Sequence, residues 1–442
     1  MLRTLIEIAF PGLFEAIGKK KGIVPSPFAD SLRLVQSPSS CDLGESVLAR
    51  VLSCFSRVLR SRGSLATAAS VLVVILVLGG CGEDAGVVVQ QTAPTPEKTA
   101  LTEEDARNLV IDTERRRLLD ELVSYGGWTG WYTSLQPFRE DMLALVKAAR
   151  EKQADAKIVE GSMGHLAPLE GVVRQCGDLD ALGKSDGEAA TEWSSVSTCV
   201  DLSNQLWARG IDLIVVPIPA KFELYPEAFS ESPPDVPTTL VRHRYMVALL
   251  ELGVEVLDLY PAMSEAKKEG PVCLLTDSHW NDRAMGVAST LIAERLQRYA
   301  VVRERERIEY AVEDVVYRHR SPLVKGFVSS DEQDDYAEVS DPGIRVIDIT
   351  GEPYDYANNP YSPVLLFGDS YMMNKRAGGT FAAHLAKELG MPVSALFQFF
   401  VTRDGVRALA RKGKDYLDGR RVVVWFMNSR GFATEWRPAK LP

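Results

Sequence analysis

Two short stretches carry residues able to do nucleophilic chemistry. In Val272-Cys273-Leu274-Leu275-Thr276-Asp277-Ser278-His279-Trp280-Asn281, a strand-like apolar run passes into a polar turn with an Asp and a His two positions apart. On an extended backbone, residues i and i+2 point to one side. Asp277 is therefore expected to hold the His279 imidazole in one tautomer, leaving its other nitrogen free to take a proton. The second stretch, Pro363-Val364-Leu365-Leu366-Phe367-Gly368-Asp369-Ser370-Tyr371, runs from a buried-looking strand into a Gly-Asp-Ser turn. A serine hydroxyl is a weak nucleophile until a base, itself oriented by a third group, takes its proton. Asp277, His279 and Ser370 are thus the candidate triad. In the turn Gly368-Asp369-Ser370-Tyr371, the backbone N–H of Ser370 or Tyr371 is the candidate oxyanion donor.

Each half of this pattern is weak alone, since Gly, Asp and Ser are ordinary turn residues. The two halves strengthen each other because each closes an apolar segment. The other histidines compete poorly. His243 and His384 fall in helical stretches, and His165 and His319 in irregular or charged ones. No Cys/His/Asp spacing reads as a zinc site and no glycine-rich loop reads as a phosphate cradle, so no metal and no cofactor is expected.

Further segments are expected to end at the same rim. Lys221 and Tyr225, in Pro217-Ile218-Pro219-Ala220-Lys221-Phe222-Glu223-Leu224-Tyr225-Pro226, offer a cation and a phenol suited to substrate hydroxyl or carboxylate groups; a plain surface loop is the competing reading. Asn428 and Arg430 leave the last strand with an amide and a guanidinium, and Trp280 and Asn281 flank the base. All six are candidate substrate contacts.

The elements that must position these groups alternate. Strands are expected at Leu213–Pro219, Val254–Leu259, Val272–Leu275, Gly343–Ile349, Val364–Phe367, Pro392–Leu396 and Arg421–Phe426. Helices are expected over Glu103–Val123, Cys199–Gly210, Thr238–Leu252, Arg283–Arg298, Gly379–Leu389 and Arg403–Lys412. Continuous apolar strands suit burial on both faces, and the alternation implies an α/β chain. Its mostly parallel sheet would be flanked by helices, with functional groups at the carboxyl ends of the strands. The stretches near 151–198 and 303–341 break the rhythm; the first reads as an insertion and the second as a lid or an insertion. Tyr125-Gly126-Gly127-Trp128-Thr129-Gly130-Trp131-Tyr132 reads as a capping edge on the core or a sugar-stacking platform.

The chain has 442 residues and a formal charge of -10, and beyond Cys81 it holds 41 Lys and Arg against 55 Asp and Glu. An acidic balance without a basic stripe argues against nucleic acid as partner. From Arg57 to Cys81, a basic start, an apolar run and small residues before a Cys have the layout of a secretory signal. Leu78-Gly79-Gly80-Cys81 resembles a bacterial lipobox, with Cys81 the lipidated residue; a single membrane anchor is the alternative. Either implies export, and a tether over residues 82–102 carries the domain from 103 to 442. Residues 1–56 have no assigned role, and a start codon placed too far upstream would account for them. In an oxidising compartment Cys176 and Cys199 could close a disulfide around the first insertion.

The segments Asp277-Ser278-His279-Trp280-Asn281 and Gly368-Asp369-Ser370-Tyr371, with Val215-Val216-Pro217-Ile218-Pro219-Ala220-Lys221, Tyr225-Pro226 and Val256-Leu257-Asp258-Leu259, resemble the AlgX/AlgJ family of SGNH-hydrolase-like alginate O-acetyltransferases. The resemblance covers roughly Leu119 to Phe432 and implies a three-layer SGNH-hydrolase-like fold. The chain order Asp, His, Ser is permuted from the usual SGNH arrangement. The resemblance further implies a periplasmic enzyme. It would take acetyl from a membrane-bound acyltransferase onto Ser370 and pass it to an exopolysaccharide hydroxyl. The sequence departs from the family at Trp425-Phe426-Met427-Asn428, where an acidic residue is expected after the Trp, so the polysaccharide is not specified. A carbohydrate acetyl-esterase on the same triad and a non-catalytic polysaccharide-binding lipoprotein are the alternatives.

Overall fold

The computed structural model describes residues 101–442 except 177–193, 239, 320–321, 329–332, 334–335, 337, 359–360, 373–378, 399–400 and 433–435. The signal-like segment, Cys81 and the tether to residue 100 lie outside the described residues. Among the described residues no helix is long and apolar enough to cross a membrane.

A short hairpin, β1 (Ile158–Glu160) with β2 (Leu166–Pro168), comes first. The main sheet is built from β3 (Asp212–Ile218) and β4 (Glu255–Val256), then β7 (Val364–Gly368), β8 (Ser394–Phe397) and β9 (Val422–Asn428). Between them in the chain, β5 (Ala311–His319) and β6 (Val339–Ile347) pair antiparallel as a separate arm. The five-stranded order is β4-β3-β9-β7-β8, and every neighbouring pair runs parallel. All five carboxyl ends therefore share one edge.

The sheet is buried on both faces because its central strands carry runs of consecutive apolar residues instead of one at every second position. Ile214, Val216, Ile218, Val364, Leu366, Val422, Val424 and Phe426 enter one core cluster. The alternate residues Leu213, Val215, Leu365, Phe367, Val423, Trp425 and Met427 enter another. Helices Asp282–Leu296 and Phe381–Leu389 cover the first face, and Ser194–Trp207 and Leu240–Glu251 the second. This is the three-layer α/β architecture expected. Each fully buried Val or Leu contributes about 1.5–3 kcal/mol.

Three sequence expectations need correcting. Val272–Leu275 is no strand of the sheet; only an antiparallel bridge between Cys273 and Trp280 forms there. The strand expected at Gly343–Ile349 belongs to β6 and lies outside the main sheet. Its half-exposed, Pro- and Gly-containing sequence suits one packed face instead of two. Cys176 and Cys199 form no disulfide. Both are free and buried, Cys176 in the cluster on one face of the sheet and Cys199 in the cluster on the other, where its Sγ lies 3.2 Å from the Tyr245 hydroxyl. In the aromatic stretch, Trp131 is wholly buried, donates Nε1–H to the Pro237 carbonyl at 2.9 Å, and caps the core.

Candidate active site

The carboxyl edge of the sheet brings the two chemistry-bearing stretches together. Strand β7 ends at Gly368, and residues 369–372 turn sharply, with the Met372 amide donating to the Asp369 carbonyl at 3.0 Å. A side chain at Gly368 would put its Cβ 2.9 Å from the Phe426 Cβ and 3.0 Å from the Met372 Sδ, so close packing requires glycine there. The turn leaves Ser370 partly exposed.

Residues 274–279 form a tight loop closed by Leu274 N–H to the His279 carbonyl at 3.0 Å and Asn281 N–H to the Val272 carbonyl at 3.1 Å. Asp277 and His279 meet through this loop and not through strand alternation. The Asp277 Oδ1 accepts from the amides of Ser278 at 2.5 Å and His279 at 3.3 Å, and lies 2.8 Å from His279 Nδ1. On the other side of the ring, His279 Nε2 lies 2.8 Å from Ser370 Oγ. Carboxylate, imidazole and hydroxyl thus stand in one hydrogen-bonded line, though 91 residues separate base and hydroxyl.

Asp277 is 2% exposed and the His279 side chain 23%. Burial alone would push the Asp277 carboxyl up. The neighbouring imidazole and the two loop amides outweigh it and hold the group below the usual carboxylate range. A carboxylate that stays ionised beside Nδ1 keeps that nitrogen protonated and leaves Nε2 as the acceptor facing Ser370.

The two stretches are tied together directly. The Tyr371 hydroxyl donates to the Ser278 carbonyl at 2.7 Å, and Trp280 Nε1–H donates to the Tyr371 carbonyl at 2.8 Å. The Tyr371 ring lies 4.7 Å from the His279 ring. The Tyr371 amide donates to the Asp369 carboxylate at 3.1 Å and is therefore engaged. Of the two expected oxyanion donors, only the Ser370 amide has no hydrogen-bond partner among the described residues.

Four of the six expected substrate contacts, Lys221, Tyr225, Trp280 and Asn281, have partners within the fold. Lys221, 2% exposed, donates to main-chain carbonyls and faces no open groove. Burial pulls its ammonium down to about 8, which leaves it charged at neutral pH. The Tyr225 hydroxyl accepts from the Val272 amide at 2.8 Å, and its ring lies 5.0 Å from the His165 ring and 4.5 Å from the Lys267 ammonium. Trp280 is core, packed on Phe381 and Phe426. Asn281 caps the helix Asp282–Leu296, its Oδ1 accepting from the Ala284 amide at 3.2 Å, while its Nδ2 donates to the Pro271 carbonyl. Asn428 is buried at the end of β9, opposite Ile218 of β3; the Arg430 side chain lies outside the described residues. The cap had a readable signal, an Asn followed by Asp282 and an apolar-periodic run. The duty of Lys221 had none, since its partners are backbone carbonyls.

Residues 180–398 match the family model described as an SGNH hydrolase-like domain of the acetyltransferase AlgX. Among curated proteins, the chain is 28% identical over 117 residues to the probable alginate O-acetylase AlgJ of Pseudomonas aeruginosa, covering 26% of this chain and 28% of that protein. It is 29% identical over 96 residues to the protein of the same description from Azotobacter vinelandii, covering 22% and 25%. The matched part thus spans only about a quarter of the length of these relatives. Among solved structures, the O-acetyltransferase domain of Pseudomonas putida AlgJ aligns with a TM-score of 0.48 at 19% identity, over 63% of this chain and 94% of that one. Pseudomonas aeruginosa AlgX aligns with a TM-score of 0.42 at 15% identity, over 63% and 64%.

Proposed function

We propose, from the premise that this chain belongs through its residues 180–398 to the AlgX/AlgJ family of SGNH hydrolase-like acetyltransferase domains, that it is an exported polysaccharide O-acetyltransferase working through an acyl-serine. The observation that carries the proposal is the line from Asp277 through His279 to Ser370, with both hydrogen-bond distances at 2.8 Å.

In the first half-reaction, His279 Nε2 takes the proton of Ser370 Oγ as that oxygen attacks the carbonyl carbon of an acetyl ester. The negative charge that forms on the carbonyl oxygen is met by the Ser370 amide. Collapse expels the donor's alkoxide, which leaves with the proton from His279, and Ser370 keeps the acetyl. In the second half-reaction, His279 deprotonates a sugar hydroxyl, that oxygen attacks the acyl-serine, and collapse returns the proton to Ser370. Asp277 stays ionised throughout and stabilises the imidazolium formed at each step. The donor is a membrane-bound acyltransferase or a carrier loaded by it. The acceptor is an exopolysaccharide, alginate by the descriptions of the relatives. The signal-like segment ending at Cys81 is the feature that supports export and tethering.

The test uses 4-nitrophenyl acetate as donor and alginate oligosaccharides as acceptor, with mass spectrometry of both enzyme and sugar. Acetyl should appear on Ser370 and then on the sugar, and Ser370→Ala should abolish both. Undiminished transfer by Ser370→Ala would sink the proposal. Acetate release that acceptor leaves unchanged, with no acetylated sugar, would identify an esterase.

A further inference from the structure

We propose that Lys221 is the positioning residue of the base-bearing loop: its ammonium gathers the carbonyls of residues 274, 275 and 277 and so fixes where Asp277 and His279 stand relative to Ser370. The inference rests on the acyl-serine reading above.

The Lys221 Nζ donates to the Leu274 carbonyl at 2.7 Å, to the Leu275 carbonyl, to the Asp277 carbonyl at 3.1 Å and to the Leu166 carbonyl at 3.2 Å. Three N–H groups shared among four carbonyls use the full donor capacity of an ammonium. Among the described residues no carboxylate oxygen joins the cradle, and the ligands of this buried cation are backbone dipoles. Those dipoles come from the loop that holds the general base, and the fourth comes from β2, which also reaches the loop through Leu166 N–H to the Leu275 carbonyl at 3.3 Å.

The loop lacks regular secondary structure, so its carbonyls need partners from elsewhere. Lys221 supplies those of 274, 275 and 277, and the Tyr371 hydroxyl supplies that of 278. Both anchors stand on segments leaving the main sheet. Lys221 opens the helical turn Lys221–Leu224 just after β3, and Tyr371 lies three residues past the end of β7. The base is therefore referenced to the same rigid edge as the nucleophile, which suits a hydrogen bond that must hold at 2.8 Å. A misplacement of about 1 Å at such a contact costs about a hundredfold in rate.

The experiment compares wild-type enzyme, Lys221→Met and Ser370→Ala, using full-length protein. Acylation of Ser370 by 4-nitrophenyl acetate is followed together with thermal melting. Lys221→Met is expected to lose about a hundredfold in kcat, with KM within threefold of wild type. In Lys221→Ala, propylammonium chloride should restore kcat at least tenfold while propanol should not, because the missing part is a charged donor. A folded Lys221→Met with kcat within threefold of wild type overturns the proposal, even if its melting temperature falls. So does a rise in KM at unchanged kcat, which would make Lys221 a substrate contact. Should the Met variant fail to fold, Lys221→Ala decides: rescue by the amine supports the proposal, and indifference to it overturns it. If Ser370→Ala reacts as fast as wild type, the acyl-serine reading itself has failed, a result distinguishable from either outcome at Lys221.

Discussion

Replacing Asp277 by Asn probes the charge of the carboxylate almost alone, and the structure gives the expected size. Asn has the same shape, and its amide oxygen can take the place of Oδ1, held there by the Ser278 and His279 amides at 2.5 and 3.3 Å. That oxygen still accepts from Nδ1, so the imidazole keeps its tautomer. What is lost is the attraction between the carboxylate and the imidazolium that forms as Ser370 gives up its proton. Two unit charges about 4 Å apart at an effective dielectric of about 20 attract by about 4 kcal/mol. At about 1.4 kcal/mol per decade this predicts an acylation rate about a thousandfold slower. Where an Asp→Asn change in such a triad flips the tautomer, the loss is about ten-thousandfold. Stopped-flow measurement of the 4-nitrophenolate burst at pH 7 gives the rate, and far-UV circular dichroism checks the fold. An Asp277→Asn enzyme that keeps more than a tenth of the wild-type burst rate would refute the reasoning. Its carboxylate would then contribute little to the imidazolium.

Two other outcomes follow from the same contacts. Tyr371→Phe removes the donor to the buried Ser278 carbonyl at 2.7 Å. It should lower stability by about 1–3 kcal/mol in urea unfolding and slow acylation at least tenfold; an unchanged burst would show that the latch does not position the base. His243 is 1% exposed, and burial draws its imidazole down to about 4, against about 6.5 in an unfolded chain. The native state therefore keeps it neutral while the unfolded state takes a proton. Its contribution is complete above pH 6.5 and is lost as pH falls towards 4, about 2 kcal/mol being gone at pH 5. Melts of wild type and His243→Leu between pH 5 and 7.5 should show the steeper acid decline in wild type, and parallel curves would exclude this assignment.

Much of the architecture was legible in the sequence because burial on both faces leaves a one-dimensional trace. The runs at Leu213–Pro219 and Val364–Phe367 are apolar throughout, as is Arg421–Phe426 after its first residue, and each forms a strand of the parallel sheet. Parallel pairing in turn sends every carboxyl end to one edge, so residues following those strands had to share a rim. Asp277, His279 and Ser370 can be proposed together from residue type, since few groups can serve as orienter, base and nucleophile, and the fold brings the three side chains into hydrogen-bond contact. The structural partners of Lys221, Tyr225, Trp280 and Asn281 were not legible in the same way. A cation, a phenol, an indole and an amide look the same in a sequence whether they meet a ligand or a backbone group. Here their partners are carbonyls, an amide and a helix end.

Sequence by itself determined the layered α/β plan and singled out the three side chains proposed to carry acyl chemistry, because apolar periodicity and functional-group chemistry are local properties. Tertiary structure alone decided that Cys176 and Cys199 lie on opposite faces of a sheet, that β6 pairs away from that sheet, and that a tight loop instead of a strand carries Asp277 and His279. It also decided that a buried lysine holds that loop. Apart from the loop's own closing bonds, these depend on contacts between residues distant along the chain, whose geometry is set by how the layers pack and leaves no periodic signal behind.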